Sequence, residues 1–200
     1  MIFKNLKMDS LLNKFQVVLQ NDVSTARNPY NNNAENSFYM SNLITTKFQS
    51  VENYDLDEPL KELIESGFLK IDDMLFFTKK AKKNPRDFST SLIKERYGDK
   101  SGFEKSMNTI FIEDYIKEGI VEKSFIFLQH LKESLLLSGC PDFTVFLSIE
   151  DLIDFGLLAN ISFCISRWNE VVIDTSSIED YSQAIMVEFV KKKISPYECD

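Results

Sequence analysis

Phenylalanine sets the first constraint on this chain. Seventeen of its 200 residues are Phe and only six are Gly. Each Phe carries a large ring that must find cover, so the fold needs a substantial apolar interior. Scarce Gly leaves little for Gly-rich phosphate loops or a succession of tight β-turns. A chain of this length buries roughly 70% of its unfolded surface, which supports a core without disulfide or metal staples. Hydrophobic residues at 44% and charged residues at 27% are the proportions of a soluble globular protein. One domain over 1–200 is expected. A composition shift near Cys140-Pro141 marks a candidate boundary between a mainly helical 1–140 and an α+β 141–200.

Periodicity places the elements. Asp9-Ser10 can cap a helix with Leu11, Leu12, Phe15, Val18 and Leu19 on one face. Residues 28–36 hold five Asn and one Pro and read as a loop or a disordered patch. Asp57 and Pro59 open a helix that Gly67 closes. Residues 68–77 flank Asp72-Asp73 and read either as a hairpin or as a turn followed by a helix. Asn84-Pro85 opens a helix closed by Gly98, and Ser101 caps another that runs through Phe103, Met107, Ile110 and Ile116 to Gly119. A longer helix follows from Glu122 to Leu137. Beyond it, Phe143 to Ser148 reads as a strand, Glu150 to Phe155 as a short helix, and Leu158 to Trp168 as a second strand. Asn169-Glu170 turns the chain into Val171-Val172-Ile173, and Ser177 caps a C-terminal helix. The expected fold is therefore α+β, predominantly helical, with a small antiparallel sheet formed mainly by the C-terminal third. Three similar segments, 63–69, 115–121 and 152–158, are spaced too irregularly for a solenoid and read as helix ends closed by Gly67, Gly119 and Gly156.

Several chemistries lack their residues. His130 is the only histidine, so no His-based zinc site can be built, and no Gly-x-Ser-x-Gly elbow accompanies it. Cys140, Cys164 and Cys199 form neither a disulfide framework nor a Cys-x-x-Cys pair, and they read as reduced thiols. Asp55, Asp57 and Glu58 lack the ligand number and the Gly of a calcium loop. No cofactor is expected. No apolar run is long enough for a signal peptide or a membrane helix, which makes the cytoplasm the expected location.

Charge supplies the functional expectation. The net charge is −8, which disfavours nucleic acid and anionic lipid and favours a basic protein partner. Residues 142–180 hold Asp142, Glu150, Asp151, Asp154, Glu170, Asp174, Glu179 and Asp180 against a single base, Arg167. The only Trp, Trp168, lies in the same stretch. Solubility needs no such segregation, whereas a concentrated anionic surface with an aromatic anchor suits the capture of a basic protein. The expected partner-binding residues are Glu150, Asp151, Asp154, Trp168, Glu170 and Asp174. The expected function is neutralisation of a basic protein by occlusion, the role that immunity proteins play towards nuclease toxins. That expectation is an analogy of charge and size. Two alternatives stand beside it: a DNA-binding regulator using the basic segment Lys79, Lys80, Lys82, Lys83 and Arg86, and an enzyme whose site a single sequence does not reveal.

Overall fold

The central element is a five-stranded antiparallel sheet, and its middle strand organises everything else. The computed structural model describes residues 34–36, 40, 55–83, 89–152 and 156–191. In chain order these form β1 (Ala34–Asn36), α1 (Glu58–Glu65), β2 (Phe68–Ile71), β3 (Met74–Phe77), α2 (Thr78–Lys83), α3 (Thr90–Tyr97), α4 (Lys100–Asn108), β4 (Ile110–Phe111), α5 (Ile120–Leu137), β5 (Phe143–Leu152), β6 (Gly156–Ile165) and β7 (Ala184–Val190). Short 3-10 turns cover Ile112–Asp114 and Thr175–Asp180. The strand order is β1-β7-β5-β6-β4, with every pairing antiparallel. β2 and β3 form a separate hairpin through Asp72-Asp73, where Asp72 takes φ 54°, a left-handed conformation that Asp tolerates.

The architecture is not predominantly helical, which corrects the expectation from periodicity. The sheet also reaches beyond the C-terminal third, to β1 and β4. Three local readings fail for the same reason. Glu150 does not begin a helix, because β5 continues to Leu152, paired along its whole length with β6 and through Ile149 with β7. Ser177 does not cap a C-terminal helix. After the 3-10 turn the chain enters β7, where Ala184, Ile185, Met186 and Val187 are all buried. Val171 to Ile173 forms no strand. A short apolar run fits a helix or a strand equally well, and pairing partners decide between them. α4 stops at Asn108, so Ile110 and Ile116 lie outside it, and its N-cap is Asp99, whose carboxylate accepts from Gly102 N at 2.7 Å. Gly102 cannot be replaced without movement, since a Cβ there would sit 2.5 Å from the Tyr97 carbonyl oxygen. Gly67, Gly119 and Gly156 share a left-handed backbone, but only Gly67 follows a helix: Gly119 precedes α5 and Gly156 opens β6. Asp57 stands at the N-cap of α1, yet its carboxylate reaches Lys123 of α5 at 2.6 Å instead of capping. Asp9-Ser10, the helix they were expected to cap, and Asn84-Pro85 lie outside the described residues.

The Phe residues go where their number requires. One face of the sheet, carrying Val145, Leu147, Ile149, Ile161 and Phe163, packs with α5 through Phe127, Leu128 and Leu131. Phe68, Phe77 and Phe163 meet with ring centroids 5.2–5.6 Å apart, which ties the hairpin to this core. The hairpin's other face, Met74 and Phe76, covers a second cluster with Ile93, Phe103 and Met107. A third cluster lies on the sheet's opposite face, where Phe146, Cys164, Ile185 and Val187 are covered by Ile178 and by Val172 and Ile173.

That third cluster explains the path between β6 and β7. These strands flank β5 on either side and both run antiparallel to it, so they are parallel to each other. Parallel strands need a crossover rather than a tight turn. Residues 166–183 supply it. The crossover starts where Ser166 N donates to the Asp142 carbonyl at 2.9 Å and ends where Gln183 meets Ser148 and Glu150.

Candidate functional site

α4 is a polar wedge between two sheet edges. Ser101, Glu104 and Asn108 fall at helical spacing on one face and are 0–1% exposed. Phe103 and Met107, on the opposite side, pack into the second core. β4 pairs with β6 only at Asn160 and Ile161, and among the described residues no other strand lies along that edge of β6. α4 takes the strand's place. Asn108 Nδ2 donates to Leu75 O at 2.8 Å and Phe163 O at 3.2 Å, while its Oδ1 accepts from Phe77 N at 3.1 Å. Glu104 accepts from Leu75 N at 2.5 Å, Ile165 N at 3.2 Å and Arg167 Nη1 at 2.6 Å. Buried backbone groups on β3 and β6 are thereby satisfied by side chains.

Arg167 extends this wedge into the crossover. Its Nη1 also donates to Ser101 Oγ at 2.9 Å, and its Nη2 donates to Asp73 O at 2.8 Å. Glu170 closes the arrangement from the other side, accepting from Ser101 N at 2.9 Å and Ser101 Oγ at 2.5 Å. Lys100 pairs with the Asp73 carboxylate at 2.6 Å, where hydrogen bonding to the ammonium holds that carboxyl below its usual range. Burial pushes the Glu104 carboxyl up to about 7, against the pull of the Arg167 guanidinium and the two backbone N–H groups.

Between the two anchored residues the chain turns. Glu170 N donates to Arg167 O at 3.2 Å, which makes 167–170 a tight turn with Trp168 and Asn169 at its corners. Trp168 is 95% exposed, and Val171, just past the turn, is 76% exposed. An indole in water on a turn held at both shoulders is the feature of this surface that core packing does not account for.

The remaining acidic residues of the expected surface separate. Glu150 and Asp151 occupy successive positions of strand β5 and so point to opposite faces. Glu150 is half-buried and accepts from Gln183 Nε2 at 3.3 Å, and Asp151 is exposed. Asp154 lies outside the described residues. Asp174 is exposed and caps the 3-10 turn through Ser176 N and Oγ. Trp168 and Glu170 are brought together, with Glu170 turned inward onto α4. Sequence reading missed Ser101, Glu104 and Asp73. The available signals were the polar spacing 101, 104, 108 and the isolation of Arg167 among carboxylates, since a lone base in an acidic stretch invites a buried partner.

The basic segment is partly tied back. Lys79 pairs with Glu62 at 2.7 Å and the Lys80 ammonium bonds the Thr109 carbonyl. Arg86 lies outside the described residues. His130 is exposed on α5. Among the described residues no group of three or more His, Cys, Asp or Glu is placed to hold a metal, and no helix is long and apolar enough to cross a membrane.

Fold and site together define an α+β protein with a polar helix wedge and a stapled, solvent-facing Trp turn. The chain belongs to the uncharacterized protein PM0498 family, whose model matches residues 34–195. It is similar to the uncharacterized protein PM0498 of Pasteurella multocida (strain Pm70), with 27% identity over 154 residues that cover 76% of this chain and 95% of that protein. No solved structure matches.

Proposed function

We propose that this protein is a binding protein that captures a basic protein on the outer surface of the 166–183 crossover and neutralises it by occlusion, in the manner of an immunity protein. The observation that carries this reading is Trp168, 95% exposed on a turn fastened by Arg167 and Glu170. A large aromatic side chain on an ordered turn loses little conformational freedom on docking, which is what makes such residues binding hot spots. Charge favours a basic partner. Arg167 is the crossover's only base, and its guanidinium is directed inward. The outward ionisable groups of the crossover include Asp174, Glu179 and Asp180, all exposed. An anionic surface of this kind steers a cationic partner and pairs with its Lys and Arg side chains.

The test is co-purification with tagged protein from its own cells, with wild type and Trp168→Ala compared side by side. The expected result is one basic protein retained by wild type, with affinity reduced on the order of 30-fold or more by the substitution. The variant should keep the wild-type melting curve, because an exposed ring contributes little to the fold. Equal retention of every bound protein by the two forms would overturn the reading.

A further inference from the structure

We propose that Glu104 is a proton-operated latch for the Trp168 turn: ionised, it holds Arg167 and fixes the turn, and protonated, it releases Arg167 and frees the turn to move. This rests on the reading of Trp168 as the docking residue and names the regulation of that same site.

Each partner that the structure gives to the two Glu104 oxygens is a donor: Leu75 N on Oε1, Ile165 N and Arg167 Nη1 on Oε2. Three donors match a carboxylate, which only accepts. A proton cancels the charge that Arg167 pairs with, and on Oε2, whose two lone pairs already receive Ile165 N and Arg167 Nη1, it displaces one of those donors. Leu75 N and Ile165 N belong to strands held by their ladders. Arg167 lies on the crossover and has other acceptors within reach in Ser101 Oγ, Asp73 O and Glu170. Arg167 is therefore the partner that yields, and Trp168 is the next residue in the chain.

The charged and titratable groups facing Glu104 leave it as the pivot. The crossover brings Arg167 and Glu170, and the hairpin turn brings Asp73, which is engaged by Lys100. From its own helix comes Lys105, whose ammonium lies 5.2 Å from the Phe146 ring centroid. β6 contributes the Cys164 thiol and the segment before β5 contributes Cys140. Burial raises both thiols, Cys140 to about 12, so neither ionises near neutrality. Glu104 is displaced to about 7 by its burial, into the range where cellular pH varies.

The chain carries its own reporter, since Trp168 is its only Trp. Time-resolved fluorescence anisotropy of the isolated full-length protein, followed between about pH 5 and about pH 9, reads the local motion of the turn. The expected result is a single step with a midpoint near 7, with greater local motion on the acid side and unchanged circular dichroism. Glu104→Gln places an amide N–H₂ among the same donors and should show the loosened turn at every pH. A flat wild-type profile, or a step of equal size in Glu104→Gln, overturns the latch. Should Glu104→Gln fail to fold, carboxyl-carbon NMR of glutamate-labelled wild type decides: a Glu104 signal that titrates in the ordinary carboxylate range overturns the proposal, and one that titrates near neutrality together with the anisotropy step supports it. These measurements need no partner. Their failure leaves the docking role of Trp168 to its own co-purification test.

Discussion

Glu104 and Arg167 carry opposite burdens. An ion pair withdrawn from water carries a desolvation cost that the pairing only partly offsets, which is why the Glu104 carboxyl ionises late. The sign of its contribution to stability follows. Between its ordinary value of 4.5 and about 7 the folded protein binds a proton that the unfolded chain does not. Stability from this group therefore rises as pH falls through that window, by up to about 1.4 kcal/mol per pH unit at the steepest point. Urea denaturation across the window should show the gain in wild type and its absence in Glu104→Gln. Arg167→Ala tests the other half. At about pH 8 it leaves a buried carboxylate without its counter-charge, with an expected loss of about 3–5 kcal/mol. At about pH 5 the loss should shrink, because a protonated Glu104 no longer needs the cation. A loss independent of pH would mean that Arg167 acts through its bonds to Asp73 O and Ser101 rather than through Glu104.

At the scale of elements, α4 is the piece that sequence reading handled least well. Its polar stripe looks like a solvated face, because burial of Ser, Glu and Asn at 101, 104 and 108 depends on two strand edges distant in sequence. The apolar half of the same helix, Phe103 and Met107, was legible from spacing alone. So was α5, whose apolar positions Phe125, Leu128, Leu131 and Leu135 are buried as the 3.6-residue period requires. β7 was not legible, since Ala-Ile-Met-Val is equally a helical or a strand run until β1 and β5 supply its ladders. The turn beside Trp168 was legible from Asn169-Glu170, although the strand before it ends at Ile165 rather than at Trp168, whereas the staple beneath it depends on contacts 63 and 66 positions apart along the chain. Asn108 gives the sharpest test of the wedge. Its amide both donates and accepts, to two carbonyls and one N–H. Asn108→Asp keeps the shape but faces Leu75 O and Phe163 O with no donor. The expected loss is roughly 1–3 kcal/mol for each orphaned group, read as a lower urea midpoint at neutral pH. A wild-type midpoint would mean that the two edges do not rely on α4 for their hydrogen bonds.

Across the whole molecule, the distribution of charge matters more than its sum. The net charge is −8, and residues 142–180 alone carry eight acids and one base. The fold sharpens this contrast, because it turns that base inward and leaves Glu179 and Asp180 exposed on the crossover. These two carboxylates lie next to the Ile178 side chain that seals the outer sheet face, so they are carried on a fixed segment rather than a loose tail. Their field should act mainly before contact, by raising the rate at which a cationic partner arrives. Glu179→Lys with Asp180→Lys should therefore slow association with the basic protein retained in co-purification. It should also weaken the salt dependence of that rate, while dissociation changes far less. Trp168→Ala should do the reverse and act mostly on dissociation, as loss of a buried anchor does. The melting curve of the double variant should stay close to wild type, since exposed carboxylates contribute little to folding. Stopped-flow or surface-based kinetics at low and high salt separates the two effects. An association rate indifferent to both salt and charge reversal would show that the acidic crossover takes no part in recruitment, and the anchor at Trp168 would then have to act without steering.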